Sequence, residues 1–541
     1  MAPLLVLSLG GPAAGVPRSA PPGGAAAEGT AARRAAGGGA RPNIVVVLAD
    51  DLDRTELNLF PNLARLRREG TSLTNFIVSD SWCCPSRSTI LRSQYVHSHR
   101  VLTNNPPNGG FPEFYARGLD RSTVGTWLRS AGYRTGLIGK FLNGYPNGAS
   151  PTYVPPGWDD WRVPAPRRMY RQRDYQLVER GVLVPYGSAP EDHLDDVLTS
   201  KAVSFVRETP KAKPFFLYLA PVAPHLPAAS AARHAGAFAT AKVPRTPSFN
   251  RAVKRTGTAG LTDEAGDGAT GTTGAEKAAP GFGEPRWISG KPKLSAKDIK
   301  RIDAIHRDRL RSMLSVDDMV GAVMKSLRDT GRLQNTYIFF TSDNGFHLGQ
   351  HRLQPGKTTP FEEDIRVPML VRGPGVPAGG TSSALAGTVD LAPTFARLAG
   401  ARVPPFAEGR PLTSLLRGRE RRHWRRAMLV EFFAGKAKQH PEGPDCDTRV
   451  KHARGCPLPP TYAALRTGRY TYVEYATGER QLFDLATDPY QLHNLVADPA
   501  LAGKGRSPRA DRIRARLHRL SAWLERYRRC AGASCRKADR R

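Results

Sequence analysis

Asn43-Ile44-Val45-Val46-Val47-Leu48-Ala49-Asp50-Asp51 decides the fold. An apolar, β-branched run with no polar alternation is what a strand buried on both faces of a parallel sheet requires. It stops abruptly on two carboxylates. Three later stretches share this design. Tyr133 to Gly139 closes on Lys140, Phe215 to Ala220 runs on to Pro224-His225, and Thr336 to Thr341 ends in Ser342-Asp343-Asn344-Gly345. Helical patterns separate them: Phe60 to Glu69, Ser122 to Ala131, and a long amphipathic stretch from His306 to Asp329. That last stretch sets Leu310, Met313, Val316, Val320, Val323 and Leu327 on one face and stops at Gly331. Alternating strands and helices predict an α/β fold, a mostly parallel sheet covered by helices on both faces. Such sheets bind ligands at the carboxyl ends of their strands. Asp50, Asp51, Lys140, His225, Asp343 and Asn344 therefore belong to one site.

A second stretch, Cys83-Cys84-Pro85-Ser86-Arg87, turns into a helix through Ser93, with Pro85 suited to its first position. The first turn of a helix leaves backbone N–H groups unpaired and carries a positive field. A nucleophile placed there is activated, with Arg87 one turn away. A buried structural cysteine pair is the other reading, and spacing alone leaves both open.

From Arg410 the texture changes. Ala427–Phe433, Tyr462–Arg466, Tyr470–Tyr475 and Gln481–Leu485 read as short strands, with tight turns at Gly468 and Gly478. They predict an antiparallel sheet, closed by a basic helix from Asp511 to Arg529. The chain thus divides into a leader or disordered segment (1–40), a catalytic domain (41–409) and a smaller C-terminal α+β subdomain (410–541). Residues 230–294, rich in Ala, Gly, Thr and Lys, read as an exposed insertion. Leu4 to Leu9 is too short for a full signal-peptide core, and Arg33-Arg34 lacks the apolar run of a twin-arginine signal.

Formal charge is +32 over 541 residues. Such a surplus favours polyanions, unless it reflects a general arginine bias of the composition. No recognisable nucleic-acid module is present, which argues against nucleic acid as partner. No apolar run approaches a membrane span. Of six cysteines, Cys446 and Cys456, and Cys530 and Cys535, form two close sequence pairs, read as short-loop disulfides of an oxidising, extracytoplasmic compartment. Asp50, Asp51, Asp343 and Asn344 offer only oxygen ligands, which suits Ca²⁺ or Mg²⁺ better than zinc.

Cys-x-Pro-Ser-Arg resembles the signature of the type I, formylglycine-dependent sulfatases. The doubled Cys83-Cys84, with His97-Ser98-His99, Asn104-Asn105, Gly139-Lys140, Ser342-Asp343-Asn344-Gly345 and Val371-Arg372-Gly373-Pro374-Gly375, looks most like the N-acetylglucosamine-6-sulfatases and their endosulfatase relatives. The resemblance implies an alkaline-phosphatase-like fold and hydrolysis of sulfate esters in sulfated glycans. It implies that Cys83 is oxidised to formylglycine by a formylglycine-generating enzyme, and that Asp50, Asp51, Asp343, Asn344 and the modified Cys83 hold Ca²⁺. It assigns Arg87 to the aldehyde hydrate, Lys140 and Lys357 to sulfate oxygens, and His225 to the leaving group, with His97, His99 and Asn143 at the substrate. One departure stands out. Many sulfatases have Lys-x-His where this chain has Lys140-Phe141-Leu142 followed by Asn143, so the elimination base is open among His97, His99 and His347. Formylglycine-dependent phosphonate monoester or phosphodiester hydrolysis, and non-catalytic binding of a sulfated polysaccharide, are the competing functions.

Overall fold

The computed structural model describes residues 40–540 except 55–56, 166–167, 254–283, 420–423, 435–457, 499–500 and 502–506. A ten-stranded sheet forms the centre. Its middle is parallel and runs Thr336–Ser342, Asn43–Ala49, Phe215–Ala220, Arg134–Gly139, Asp160–Pro164. Register aligns Ala49 with Ser342 and Gly139 with Ala220, so the residues that follow these strands emerge along one edge. Met369–Arg372 on one side, and Tyr175–Glu179 with Val182–Tyr186 on the other, extend the sheet with antiparallel pairing.

Both faces of the Asn43–Ala49 strand are buried. Ile44, Val46 and Leu48 pack toward the helices Cys83–Arg92, Val124–Ser130 and Leu391–Ala399. Val45, Val47 and Ala49 pack toward Pro61–Glu69, Leu194–Glu208 and Ala296–Asp329. Successive side chains point to opposite faces, so an unbroken apolar run is the only pattern that satisfies both layers. The long helix starts ten residues before His306, where the predicted stretch begins, because Ser295 and Asp298 form a capping box that extends it to Ala296.

Ala427–Phe432, Tyr462–Thr467, Tyr470–Tyr475 and Arg480–Asp484 form an antiparallel four-stranded sheet. Helix Pro508–Arg528 contributes Ile513, Leu517, Leu520 and Leu524 to the same apolar cluster as Leu429 and Leu465. That cluster is continuous with the one under the central sheet, so residues 40–541 form one compact unit.

Cys530 and Cys535 are disulfide-bonded, while the expected Cys446–Cys456 pair lies outside the described residues. Residues 230–294 are not exposed throughout. Val243, Phe249 and Leu294 pack with Ile302, Ile305 and Phe346 in a small buried cluster, because the apolar residues at both ends of the insertion fold back on the long helix. The low-complexity centre at 260–283 lies outside the described residues.

Candidate active site

Helix Cys83–Arg92 begins one turn from the strand ends. Cys83, not Pro85, occupies its first position, after Trp82 in extended conformation. Asn104 Oδ1 accepts the Cys84 backbone N–H at 2.7 Å, tying down one of the unpaired donors of this turn. Four residues on, Arg87 lies on the same helix face. Its Nε donates to Asp343 Oδ2 at 2.6 Å and its Nη1 to the Lys140 carbonyl at 2.8 Å. Ser86 Oγ donates to the Asp343 carbonyl at 2.6 Å. The helix is thereby locked to two strand ends by its own first turn.

Gly139 makes the approach of Lys140 feasible. Its φ is +108°, and a Cβ there would lie 2.0 Å from the Ala220 carbonyl oxygen. Lys140 Nζ donates to Asp50 at 2.7 and 2.9 Å, and Lys357 Nζ to Asp51 at 2.8 and 3.1 Å. Lys357 also reaches Cys83 Sγ at 3.0 Å, and that sulfur lies 3.6 Å from Asp50 Oδ1 and 3.8 Å from Asp51 Oδ1. Asn344 Nδ2 donates to Asp51 Oδ1 at 2.7 Å. Three carboxylates, Asp50, Asp51 and Asp343, thus face three cations, Arg87, Lys140 and Lys357, all buried.

His225 Nδ1 donates to the Leu226 carbonyl at 2.6 Å, leaving Nε2 directed at Asp51 Oδ2, 3.6 Å away. Tyr170 stacks on the imidazole at 4.0 Å between centroids. Burial pushes the His225 pKa down to about 3, with Asp51 opposing and the Lys357 and Lys140 charges adding to the fall, so the ring is neutral. Burial drives the Cys83 thiol well above its ordinary value; Lys140 and Lys357 oppose this, and Asp50 and Asp343 reinforce it. An unmodified Cys83 is therefore a protonated thiol and a poor nucleophile. Burial also raises Asp50, with the Asp343 and Asp51 charges adding to the rise, and together they outweigh the pull of Lys140 and Arg87. Burial acts upward on Asp51 too, but Lys357, then His225 and Lys140, bring it well below the carboxylate range.

Residues 42–401 match the sulfatase family. The chain belongs to that family. It is 34% identical over 402 residues to the extracellular sulfatase SULF-1 homolog of Drosophila melanogaster, covering 72% of this chain and 33% of that protein. It is 33% identical over 402 residues to the N-acetylglucosamine-6-sulfatase of Homo sapiens, covering 72% of this chain and 67% of that one. The chain spans 52% of the length of a Caenorhabditis elegans extracellular sulfatase Sulf-1 homolog. Two solved structures share its fold. One, a protein in complex with its substrate D-glucosamine-2-N,6-O-disulfate, aligns at a TM-score of 0.69 and 22% identity over 92% of this chain and 99% of that one. The phosphonate monoester hydrolase of Silicibacter pomeroyi aligns at 0.64 and 20% identity over 90% and 95%.

In this member of the sulfatase family the donor set fits a hard divalent cation. Asp50, Asp51 and Asp343 bring carboxylate oxygens around Cys83, and Asp50 is raised first by burial, with the Asp343 and Asp51 charges adding to it. Asn344 Oδ1 is buried with no hydrogen-bond partner, an acceptor aimed at nothing else in the protein.

The structure brings Cys83, Arg87, Lys140, His225, Lys357, Asp50, Asp51, Asp343 and Asn344 together. It leaves His97 and His99 out. His97 Nδ1 pairs with Glu431 at 2.8 Å and Nε2 donates to the Cys530 carbonyl at 2.9 Å, which fastens its helix to the C-terminal subdomain. His99 is buried on Thr89 Oγ1 at 3.2 Å and the Val101 N–H at 3.1 Å. Neither lines the substrate position expected from sequence, because both rings are consumed by packing contacts. Asn143 lies against Cys84, its backbone hydrogen-bonded to that sulfur, with Oδ1 buried and unpartnered.

Two contributors escape the motif reading. Arg309 donates to the Asp51 carbonyl at 2.6 Å and the Pro224 carbonyl at 3.1 Å, holding two strand ends in place. It stands on the apolar stripe of its helix, seven residues before Val316, and a charge in that stripe was the available signal. Tyr170 carried no signal, since only the tertiary fold sets its ring on His225.

The His97–Glu431 pair predicts a pH effect on stability. Burial lowers the His97 pKa, but the Glu431 hydrogen bond and charge outweigh it and raise the value to about 9. A folded-state pKa above the ordinary 6.5 means the contribution is full below about pH 6.5 and is lost as pH rises through 9. At about 1.4 kcal/mol per unit, it amounts to at most about 3 kcal/mol. The difference in melting temperature between wild type and His97→Gln should be largest at pH 6 and close above pH 9. A difference independent of pH would refute the ion pair.

Proposed function

We propose that the protein hydrolyses sulfate esters, removing the 6-O-sulfate of N-acetylglucosamine in sulfated glycans outside the cytoplasm. The observation that carries this reading is Cys83 at the first turn of a buried helix, with Lys357 Nζ 3.0 Å from its sulfur and two carboxylates beside it. A sulfate ester needs an oxygen nucleophile, cations for the sulfate oxygens and a proton for the departing alcohol.

Matured to formylglycine, residue 83 supplies the hydrate oxygen that a buried, protonated thiol does not. Asp50, Asp51, Asp343, Asn344 and residue 83 would hold a divalent cation, Ca²⁺ by the all-oxygen character of the protein donors, which would supply positive charge next to the nucleophile. Arg87 orients residue 83 from one turn along the helix. Lys140 and Lys357 bind sulfate oxygens; the Lys357 ammonium already lies on the cysteine sulfur, and the Lys140 ammonium lies on Asp50 beside it. His225 faces the leaving alcohol, its ring fixed by Tyr170 and the Leu226 carbonyl. His347 is the remaining elimination base of the three weighed. Asp364 holds its Nδ1 at 3.0 Å, which directs Nε2 as the reactive nitrogen.

The regiochemistry is supported by the N-acetylglucosamine-6-sulfatase relatives and by Lys140-Phe141-Leu142-Asn143. A primary 6-O-sulfate projects from its ring and can enter a narrow, buried site while the ring stays at the mouth. The extracytoplasmic placement is supported by the Cys530–Cys535 disulfide and by relatives named as extracellular. Among the described residues, no helix is long and apolar enough to cross a membrane.

Defined heparan and keratan fragments, followed by liquid chromatography, test the reading. Loss of a terminal 6-O-sulfate from N-acetylglucosamine, with 2-O- and 3-O-sulfates intact, is expected. Preferential loss of a ring sulfate would overturn the regiochemistry. Faster turnover of phenylphosphonate esters than of any sulfate ester would overturn the sulfatase assignment itself.

A further inference from the structure

The loop carrying Lys357 is held in a conformation its sequence does not favour. Thr358 has φ +81°. A β-branched residue in the left-handed region is a backbone outlier and persists only where its surroundings over-determine it, at a cost on the order of 1–3 kcal/mol. Three groups do so here. Tyr462 Oη donates to the Thr358 carbonyl at 3.1 Å. Ser81 Oγ, two residues before Cys83, donates to the Thr359 carbonyl at 3.1 Å and touches Tyr462 Oη at 3.2 Å. Asp364 Oδ2 accepts from Thr359 N at 2.9 Å and Thr359 Oγ1 at 2.6 Å.

Tyr462 comes from elsewhere in the chain. It opens the Tyr462–Thr467 strand of the C-terminal sheet, paired with Phe432 on one side and Tyr475 on the other. Its ring stacks on Phe432 at 5.5 Å and meets Tyr475 edge-on at 5.8 Å, and Phe432 lies 5.5 Å from Trp82, the residue before Cys83. The phenol is buried, and burial keeps it protonated, so it is a donor at every working pH.

We propose that Tyr462 is a positioning residue: by pinning the Thr358 carbonyl it fixes the Lys357 ammonium against residue 83, so that the C-terminal subdomain completes the active site. This rests on the sulfate-ester reading, in which Lys357 acts on the reacting group. A lysine is a point charge on a flexible four-carbon stem, so the place of its backbone sets where the charge falls. Misplacement of such a group by about 1 Å costs on the order of 100-fold in rate. Removing the phenol oxygen also leaves the Thr358 carbonyl without its donor and lets φ relax.

The test is a double-mutant cycle. Tyr462→Phe keeps the ring and its packing, and should lower kcat on 4-nitrophenyl sulfate by about 10- to 100-fold with little change in melting temperature. In a Lys357→Ala background the same substitution should cost less than about twofold, because the group it positions is gone. An equal loss in both backgrounds would overturn the proposal. Hydrogen exchange without substrate gives a reading independent of activity. Amides across 356–361 should exchange at least about tenfold faster in Tyr462→Phe, with the strands Ala427–Phe432 and Tyr470–Tyr475 unchanged; unchanged exchange in the loop would equally overturn it. Should Tyr462→Phe fail to fold, Ser81→Ala, which frees the Thr359 carbonyl and removes the Ser81 contact to the Tyr462 phenol, runs the same cycle with the same expected outcomes. A wild-type protein inactive on every sulfate ester would sink the proposed function alone, and the exchange measurement would still decide whether Tyr462 restrains the loop.

Discussion

Cys83→Ala abolishes turnover of a sulfate ester, by about 10⁴-fold or more, as removal of a nucleophile does in hydrolases whose remaining groups are intact. Cys84→Ala should stay within about tenfold of wild type. The asymmetry follows from geometry. Cys83 Sγ meets Lys357, Asp50 and Asp51, whereas Cys84 is fixed through its backbone N–H to Asn104, and burial pushes its thiol up to about 12. A buried, protonated thiol contributes volume and weak hydrogen bonds to Asn143 and Ser88, and alanine removes only these. Peptide mass spectrometry supplies the chemical half of the test. Active protein should carry an aldehyde at residue 83 and a thiol at residue 84. A plain thiol at Cys83 in fully active protein would end the formylglycine reading, although the carboxylate and lysine cluster would remain to be explained.

Asp343→Ala is the second large effect. It should lower activity by about 10³-fold and bring the bound calcium from about one equivalent to a small fraction, read by elemental analysis. Asp343 does two jobs: its Oδ2 accepts from Arg87 and its Oδ1 from the Asp51 and Asn344 N–H groups at 3.1 and 2.9 Å. Alanine therefore also leaves the buried Arg87 guanidinium with only Asp50, 3.6 Å away, a loss of up to about 3–5 kcal/mol in stability. Chelation of the wild type separates the two consequences, since it removes the ion and leaves the Arg87 pair. Activity should fall on chelation and return with added calcium. Full activity in ion-free protein, or stoichiometric zinc in the purified enzyme, would contradict the all-oxygen donor argument.

The C-terminal subdomain has a larger part than its position in the chain suggests. Its sheet shares the apolar cluster beneath the Asn43–Ala49 strand, His97 is fastened to it through Glu431 and the Cys530 carbonyl, and Tyr462 reaches the lysine loop. A sequence divided at Arg410 by texture is not divided there by contacts, because the antiparallel strands share one continuous apolar cluster with the helix that begins at Cys83.

What the sequence by itself determined is the set of features encoded locally. Unbroken apolar runs fix two-sided burial of the strands, helical periodicity fixes the covering layers, and parallel connection forces the strand ends to one edge. For that reason Asp50, Asp51, Lys140, His225, Asp343 and Asn344 are legible as a single cluster from the sequence. The Cys83–Arg87 spacing puts both side chains on one helix face, which is again a local property. Tertiary structure alone decided what depends on partners distant in the chain. His97 and His99 sit in a motif next to the cysteine helix, yet a carboxylate more than three hundred residues away and a buried threonine claim their rings. Lys357 is named only by the family resemblance, Arg309, Tyr170 and Tyr462 by no motif in the sequence, and no spacing rule relates the four. Their places are set by which loops the packed layers bring to the carboxyl edge of the sheet, and that is settled only when the whole apolar interior closes.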